Sequence, residues 1–282
     1  MIGVVGGSGI YELLTGGTTT KVSTPYGEPS APVSIGRIGG SEVAFIARHG
    51  AHHEHPAHRV NYRANLWALR EMGVDRVIAP CAVGSLRDSI APGEFVLLDQ
   101  FIDMTGGRPS TFFDGPTLVH VSTADPYCHQ LRSHLLGVAQ EEGVRLHETG
   151  TVVVINGPRF STRAESRWFS SIGGDVVNMT QAPEAGLARE LGLCYAGLAM
   201  VTDRDAGEAA AASDDSAPRD GAPNTGAPAG PVRMEAVFER LAAMAATTRR
   251  LIDLAVPRIA ATPIACGCAG MAPNPALPMG SA

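Results

Sequence analysis

Two aspartates, Asp203 and Asp205, stand two residues apart in Thr-Asp-Arg-Asp, directly after the apolar run Cys194 to Val201. A run of that kind reads as a buried strand, and ligands of open α/β sheets bind where strands end. A carboxyl beside a second carboxylate in a closed apolar pocket keeps its proton towards neutral pH and can serve as a general acid. Other reactive groups fall at similar places. Arg48-His49 closes the run Val43 to Ala47, Ser8 sits in Gly6-Gly7-Ser8-Gly9, and Cys81-Ala82 begins a stretch of small residues. Thr180 lies between a short apolar run and a helix, where an N-cap threonine aims its hydroxyl and nearby N–H groups at one spot. One cation, two hydroxyls and several N–H donors suit phosphate or sulfate. A phosphate at one side and a protonatable heterocycle at the other describe nucleoside phosphorolysis.

The elements that must position these groups alternate. Ile2 to Val5 reads as a strand, the glycine loop follows it, and Ile10, Leu13 and Leu14 suggest a helical turn. The loop admits an anion, a bare turn or, with its third glycine missing, a poor dinucleotide site. Val33 to Ile35 and Val43 to Ala47 read as paired strands about Gly39-Gly40, and Val60 to Met72 as a helix stopped by Gly73. Arg76 to Ala79 reads as a strand followed by the loop Cys81-Ala82-Val83-Gly84-Ser85, with another strand at Glu94 to Leu98. Then come a helix over Pro126 to Glu142, a strand at Thr151 to Ile155, and a helix begun by the capping box of Thr162 and Glu165. Val176-Val177, a helix from Pro183 to Leu191, and the strand Cys194 to Val201 complete the alternation. The expected class is α/β with a mixed, largely parallel sheet flanked by helices.

The 282 residues suit one large domain, and 44% hydrophobic with 18% charged residues describes a globular chain. A net charge of −6 with mixed signs argues against a nucleic-acid or anionic-membrane surface. No apolar run approaches the ~18 residues of a membrane span, and no basic leader precedes the first strand, so a cytoplasmic enzyme is expected. Five scattered cysteines form no disulfide framework. No metal is expected either. His52-His53-Glu54-His55-Pro56-Ala57-His58 fails the H-E-x-x-H register at Ala57, and Pro56 breaks the helix that motif needs. Of the 26 residues 206–231, 17 are Ala, Gly or Pro, which predicts a flexible surface insertion. A long amphipathic helix resumes over Met234 to Ile259. The domain is therefore expected over 1–263, with a loose tail over 264–282 in which Cys266 and Cys268 are two idle thiols or a strained redox pair.

Taken together, these stretches resemble the trimeric purine nucleoside phosphorylase family. The matching segments are G-G-S-G-I (Gly6 to Ile10), T-P-Y-G-E-P-S (Thr24 to Ser30), A-R-H-G (Ala47 to Gly50) and V-N-Y-R-A-N (Val60 to Asn65). They continue with G-S-L-R (Gly84 to Arg87), L-L-D-Q-F-I-D (Leu97 to Asp103), G-P-R-F-S-T-R-A-E-S, N-M-T and T-D-R-D. The resemblance implies a single-domain nucleoside phosphorylase-like fold. It also implies phosphate-dependent cleavage of an adenine nucleoside with a small apolar 5′ group, methylthio by default, to adenine and the 5-substituted ribose 1-phosphate. Ser8, Arg48, His49, Cys81, Ala82 and Thr180 would hold phosphate, with Cys81 standing where the adenine branch more usually has a hydroxyl. Met179 would lie against the ribose, and Phe160 and Ser161 would line the base site. Asp203 would protonate N7, and Asp205 would face the 6-amino group. His120, Met234, Val237 and Phe238 would wrap the 5′ substituent, some of them from a neighbouring subunit of a homotrimer or hexamer. Phosphate would be a co-substrate and no cofactor is implied. The other readings are a 6-oxopurine phosphorylase, a phosphorylase for another 5′-substituted adenosine, and a nucleotide-sensing binding protein.

Overall fold

The computed structural model describes residues 1–7, 14, 17–116, 118–206 and 230–272. In chain order the elements are β1 (Ile2–Gly6), β2 (Thr18–Thr20), β3 (Val33–Ile38), β4 (Ser41–Ala47), α1 (Tyr62–Glu71), β5 (Arg76–Ser85), β6 (Phe95–Leu97) and β7 (Gln100–Met104). They continue with α2 (His129–Glu141), β8 (Leu146–His147), β9 (Thr151–Ile155), α3 (Arg163–Ser171), β10 (Val176–Asn178), α4 (Gln181–Glu190), β11 (Cys194–Arg204) and α5 (Met234–Ala261). The strands form one mixed sheet in the order β2-β3-β4-β1-β5-β10-β9-β7, with β11 on β5, β6 on β11 and β8 on β6. Parallel pairing dominates its centre, where β1 joins β4 and β5, and β11 joins β5. The α/β class with a mixed, largely parallel sheet is as expected.

Alternation along the central strands splits the core in two. Val5, Val77, Tyr195 and Val201 face one side with Leu66 and Leu69 of α1 and Leu187 of α4. Ile2, Val4, Ile78, Leu198 and Met200 face the other with Leu131 and Leu135 of α2 and Leu251, Ile252 and Val256 of α5. A strand buried on both faces needs an unbroken apolar run, which is why these segments were legible. The β3–β4 turn has Gly39 and Gly40 at φ 55° and 82°, a conformation that favours glycine.

β5 positions the site. Its pairing with β1 ends at Ile78 and its antiparallel pairing with β10 begins at Gly84, while β11 accompanies it along the whole length. Between those two partners the sheet opens on one side over residues 79–83. The expected loop at 81–85 is thus corrected to strand. Its residues are small because β11 and the site press on them, rather than because the chain turns.

β11 also runs past the expected end at Val201, through an irregularity between Val201 and Asp203, as far as Arg204. Thr202 is the extra residue there, and a bulge of this kind re-aims the side chains that follow it. The tail is corrected as well. Ala265 N–H donates to Gln130 Oε1 at 3.0 Å, Gln130 Nε2 donates to Pro263 O at 2.7 Å, and Cys268 is buried. Residues 264–272 are therefore docked on α2. The helical turn expected from Ile10, most of the 206–231 insertion and the end of the tail lie outside the described residues. Among those described, no helix is long and apolar enough to cross a membrane.

Candidate active site

A cavity of about 360 Å³ opens at the C-terminal ends of β1, β4, β5, β10 and β11. Its lining includes Arg48, His49, Cys81, Ala82, Phe160, Met179, Thr180, Asp203, Asp205, Met234, Val237 and Phe238, so twelve residues singled out in the sequence meet in one space. Ser161 stands behind this lining and donates to Asp205 Oδ1 at 2.9 Å. His120 is exposed and is not part of the cavity of its own chain. Ser8 lies outside the described residues.

At the carboxylate end, burial raises Asp205 from 3.8 to about 6; the Ser161 hydroxyl opposes this and the charge of Asp203 adds to it. Asp203 is also raised by burial, against the Thr202 hydroxyl. Burial is thus the larger cause, ahead of carboxylate–carboxylate repulsion. Asp205 Oδ2 is buried with no hydrogen-bond partner, an arrangement suited to a group that carries a proton or awaits a donor. Thr202 Oγ1 lies 2.5 Å from Asp203 Oδ1 and 3.2 Å from Val83 O, and it has a single hydrogen. That hydrogen goes to the nearer Asp203 Oδ1, the contact that opposes the upward shift of Asp203.

Gly84 of β5 packs directly under the pair. A Cβ there would come 2.9 Å from Asp205 Cα and 3.2 Å from Asp203 Oδ2. Gly84→Ala is expected to displace both carboxyls and lower kcat/KM by up to ~10²-fold, the scale of an ångström of misplacement. Steady-state kinetics beside an unchanged circular dichroism spectrum checks this; wild-type turnover would show the packing to be dispensable.

At the anion end the cation is already paired. Arg48, 1% exposed, donates through Nε and Nη2 to Glu184 at 2.7 and 2.8 Å, through Nη1 to Pro80 O at 3.1 Å and through Nη2 to Val5 O at 3.2 Å. Burial alone would lower its basicity, but Glu184 outweighs that and holds it charged. Four of its five hydrogens are thereby used, leaving one on Nη1. Gly7 lies close to that atom, where a Cβ would come within 2.8 Å.

His49 is held well below its ordinary value, at about 4, by burial and by Arg48, so it is neutral at pH 7. Its Nδ1 lies 2.9 Å from His55 O and must carry the hydrogen, which leaves Nε2 as an acceptor. Asn178 Oδ1 accepts the N–H groups of Thr180 and Gln181 at 3.3 and 3.4 Å, and its Nδ2 donates to Thr180 Oγ1 at 3.4 Å. The N-terminal amides of α4 are therefore occupied by Asn178, and Thr180 offers its hydroxyl hydrogen instead. Burial pushes the Cys81 thiol up to about 12, so it is a small apolar wall and no nucleophile.

Glu184, Asn178, Thr202 and Gly84 were missed in the sequence. Glu184 lies in a helix that carried no motif, 136 positions from the arginine it holds. Thr202 and Gly84 sat inside quoted motifs without an assigned role.

A sheet whose strand ends bring a buried arginine, a neutral histidine and a proton-retaining carboxyl pair to one cavity defines the class: an α/β enzyme of the nucleoside phosphorylase type. The chain belongs to the phosphorylase superfamily, whose profile matches residues 1–226. It is 57% identical over 211 residues to an S-methyl-5′-thioadenosine phosphorylase of Mycobacterium tuberculosis, covering 74% of this chain and 78% of the relative. It is 56% identical over 204 residues to one from Pyrococcus furiosus (72% and 79%), and 52% identical over 214 residues to a purine nucleoside phosphorylase of Streptomyces coelicolor (73% and 76%). Among solved structures it is similar to the methylthioadenosine phosphorylase of Schistosoma mansoni in complex with adenine. That match has a TM-score of 0.82 at 34% identity and covers 93% of this chain and 92% of that one.

Proposed function

We propose that the chain cleaves 5′-methylthioadenosine with phosphate, giving adenine and 5-methylthioribose 1-phosphate. The observation that carries this reading is that Asp203 and Asp205, both raised by burial, share one cavity with Arg48, His49 and Thr180. Cleavage leaves positive charge on the ribosyl carbon and negative charge on the departing purine. Phosphate held by Arg48 Nη1 and the Thr180 hydroxyl stabilises the first and attacks C1′. His49 Nε2 accepts the P–OH hydrogen, which suits a hydrogen phosphate and fixes its rotation. Protonated Asp203 delivers its proton to N7, while the Asp205 carboxyl accepts from the 6-amino group. Met179 lies against the ribose and Phe160 against the base, with Ser161 orienting Asp205. The apolar Met234, Val237 and Phe238 favour a small uncharged 5′ group. Phosphate is the co-substrate and the reaction as drawn uses no cofactor.

A homotrimer is part of this proposal. Met234 and Phe238 are 42% and 50% exposed while lining the cavity, and a neighbouring copy that covers them can supply His120. The experiment is a panel of 5′-methylthioadenosine, adenosine, inosine and 5′-methylthioinosine, with and without phosphate. Phosphate-dependent release of adenine, fastest from the methylthio substrate, is expected; release that ignores phosphate would end this reading.

One observation favours 6-oxopurines as second substrates. Asp205, once protonated, can donate to a 6-oxo group. Preference for adenine over the 6-oxo analogue is therefore expected to shrink as the assay pH falls through about 6, and a constant ratio would remove that reading.

A further inference from the structure

Four of the five cysteines, remote in sequence, converge at the opposite end of β11 from the carboxyl pair. Cys128 is the residue before α2, Cys194 begins β11, and Cys266 and Cys268 come from the docked segment after α5. Their four Sγ atoms all lie within 4.8 Å of one another, and Cys194 and Cys266 are 3.2 Å apart. Cys128, Cys194 and Cys268 are buried and Cys266 is half-buried. From this convergence we propose that the four thiolates hold a structural divalent zinc ion that fastens the segment after α5 to α2 and β11.

The geometry fits the ion. Zinc binds thiolates tetrahedrally at ~2.3 Å, which places the sulfurs of a tetrathiolate about 3.8 Å apart, inside the observed spread. Two disulfides would instead need paired sulfurs about 2.0 Å apart. Packing as neutral thiols gives no reason for all four to meet at one point.

The charge also fits. Four thiolates and one zinc ion sum to −2, a charge that a protein interior must offset. Arg189, 8% exposed, points Nη1 at Cys268 Sγ from 3.5 Å. Cys128 stands at the N-terminus of the thirteen-residue α2, where the helix dipole favours negative charge. With four protein ligands the coordination shell is closed, so the ion would serve the fold and take no part in turnover. Asp203 lies nine positions beyond Cys194 along β11, a span of about 30 Å. Ligands drawn from positions 128, 194 and 266–268 have no motif spacing, so the amino-acid sequence carries no mark of this cluster.

The test uses the full-length protein, expressed in medium with zinc and purified under reducing conditions, then dialysed against metal-free buffer. One zinc per chain by elemental analysis is expected, together with five thiols titratable in denaturant plus chelator. Cobalt replacement is expected to give the intense visible bands of a tetrahedral tetrathiolate. The double variant Cys266→Ser, Cys268→Ser is expected to lose the ion and melt at a lower temperature, yet keep wild-type kcat/KM. Should that variant fail to fold, the wild-type metal and thiol counts still decide.

Three results would overturn the proposal. One is metal-free protein with all thiols reduced. Another is metal-free protein 4 Da light with one titratable thiol, which would mean two disulfides. The third is zinc retained by the double variant, which would assign it to the histidine-rich loop at His52 to His58.

Discussion

Asp203→Asn is expected to lower kcat/KM for 5′-methylthioadenosine by about 10²–10⁴-fold, the usual worth of a positioned general acid. Asparagine keeps the volume and can still hydrogen-bond Thr202, so the pocket is preserved and only the transferable proton is lost. The same chemistry predicts a pH dependence. Both carboxyls are raised above the ordinary 3.8 by burial, Asp205 to about 6. The folded chain therefore favours the protonated forms. The Asp205 contribution to stability is fully present below about 3.8 and is lost as pH rises through about 6, and that of Asp203 is lost in the same direction. Activity that needs the Asp203 proton falls as the pH rises. A pH profile of kcat/KM is expected to bend downward as the pH rises and Asp203 loses its proton, and the bend should change in both Asp203→Asn and Asp205→Asn. If Asp203→Asn turned over normally, the proton would have to come from elsewhere. Because neutral asparagine carries no penalty for a buried charge, both variants should melt no lower than wild type at pH 7.

Glu184→Gln is expected to be the most destabilising single change near the site. Arg48 and Glu184 are each 1% exposed, and Tyr195 adds a 2.6 Å hydrogen bond to the same carboxylate. Removing one partner of a buried ion pair leaves the other uncompensated and costs ~3–5 kcal/mol. Domains of this kind are stable by only ~5–15 kcal/mol in total, so chemical denaturation should register the change plainly. Phosphate then becomes informative. Once Glu184 no longer neutralises Arg48, a bound anion is the remaining counter-charge. Added phosphate is expected to raise the melting temperature of the variant by more than that of the wild type. Equal shifts would mean that phosphate does not meet Arg48.

Local sequence determined the α/β alternation, because strands buried on both faces must be continuous apolar runs and helices between them must be amphipathic. It also determined the chemistry carried by each rim residue, since Thr-Asp-Arg-Asp, Arg-His-Gly and Asn-Met-Thr each end a run that had to be a strand. The Thr162–Glu165 capping box was legible for the same local reason, and its reciprocal bonds are present.

Tertiary structure alone decided how those residues are charged and what holds them. Glu184 reaches Arg48 across 136 positions, Asn178 occupies the amides that Thr180 would otherwise have exposed, and His55 fixes the tautomer of His49. Small residues at 81–85 read as a loop because crowding by β11 leaves no trace in one-dimensional pattern. The same limit hid the four thiols. Burial, partner choice and pKa depend on what the fold brings close in space, and sequence spacing records that only for neighbours along the chain.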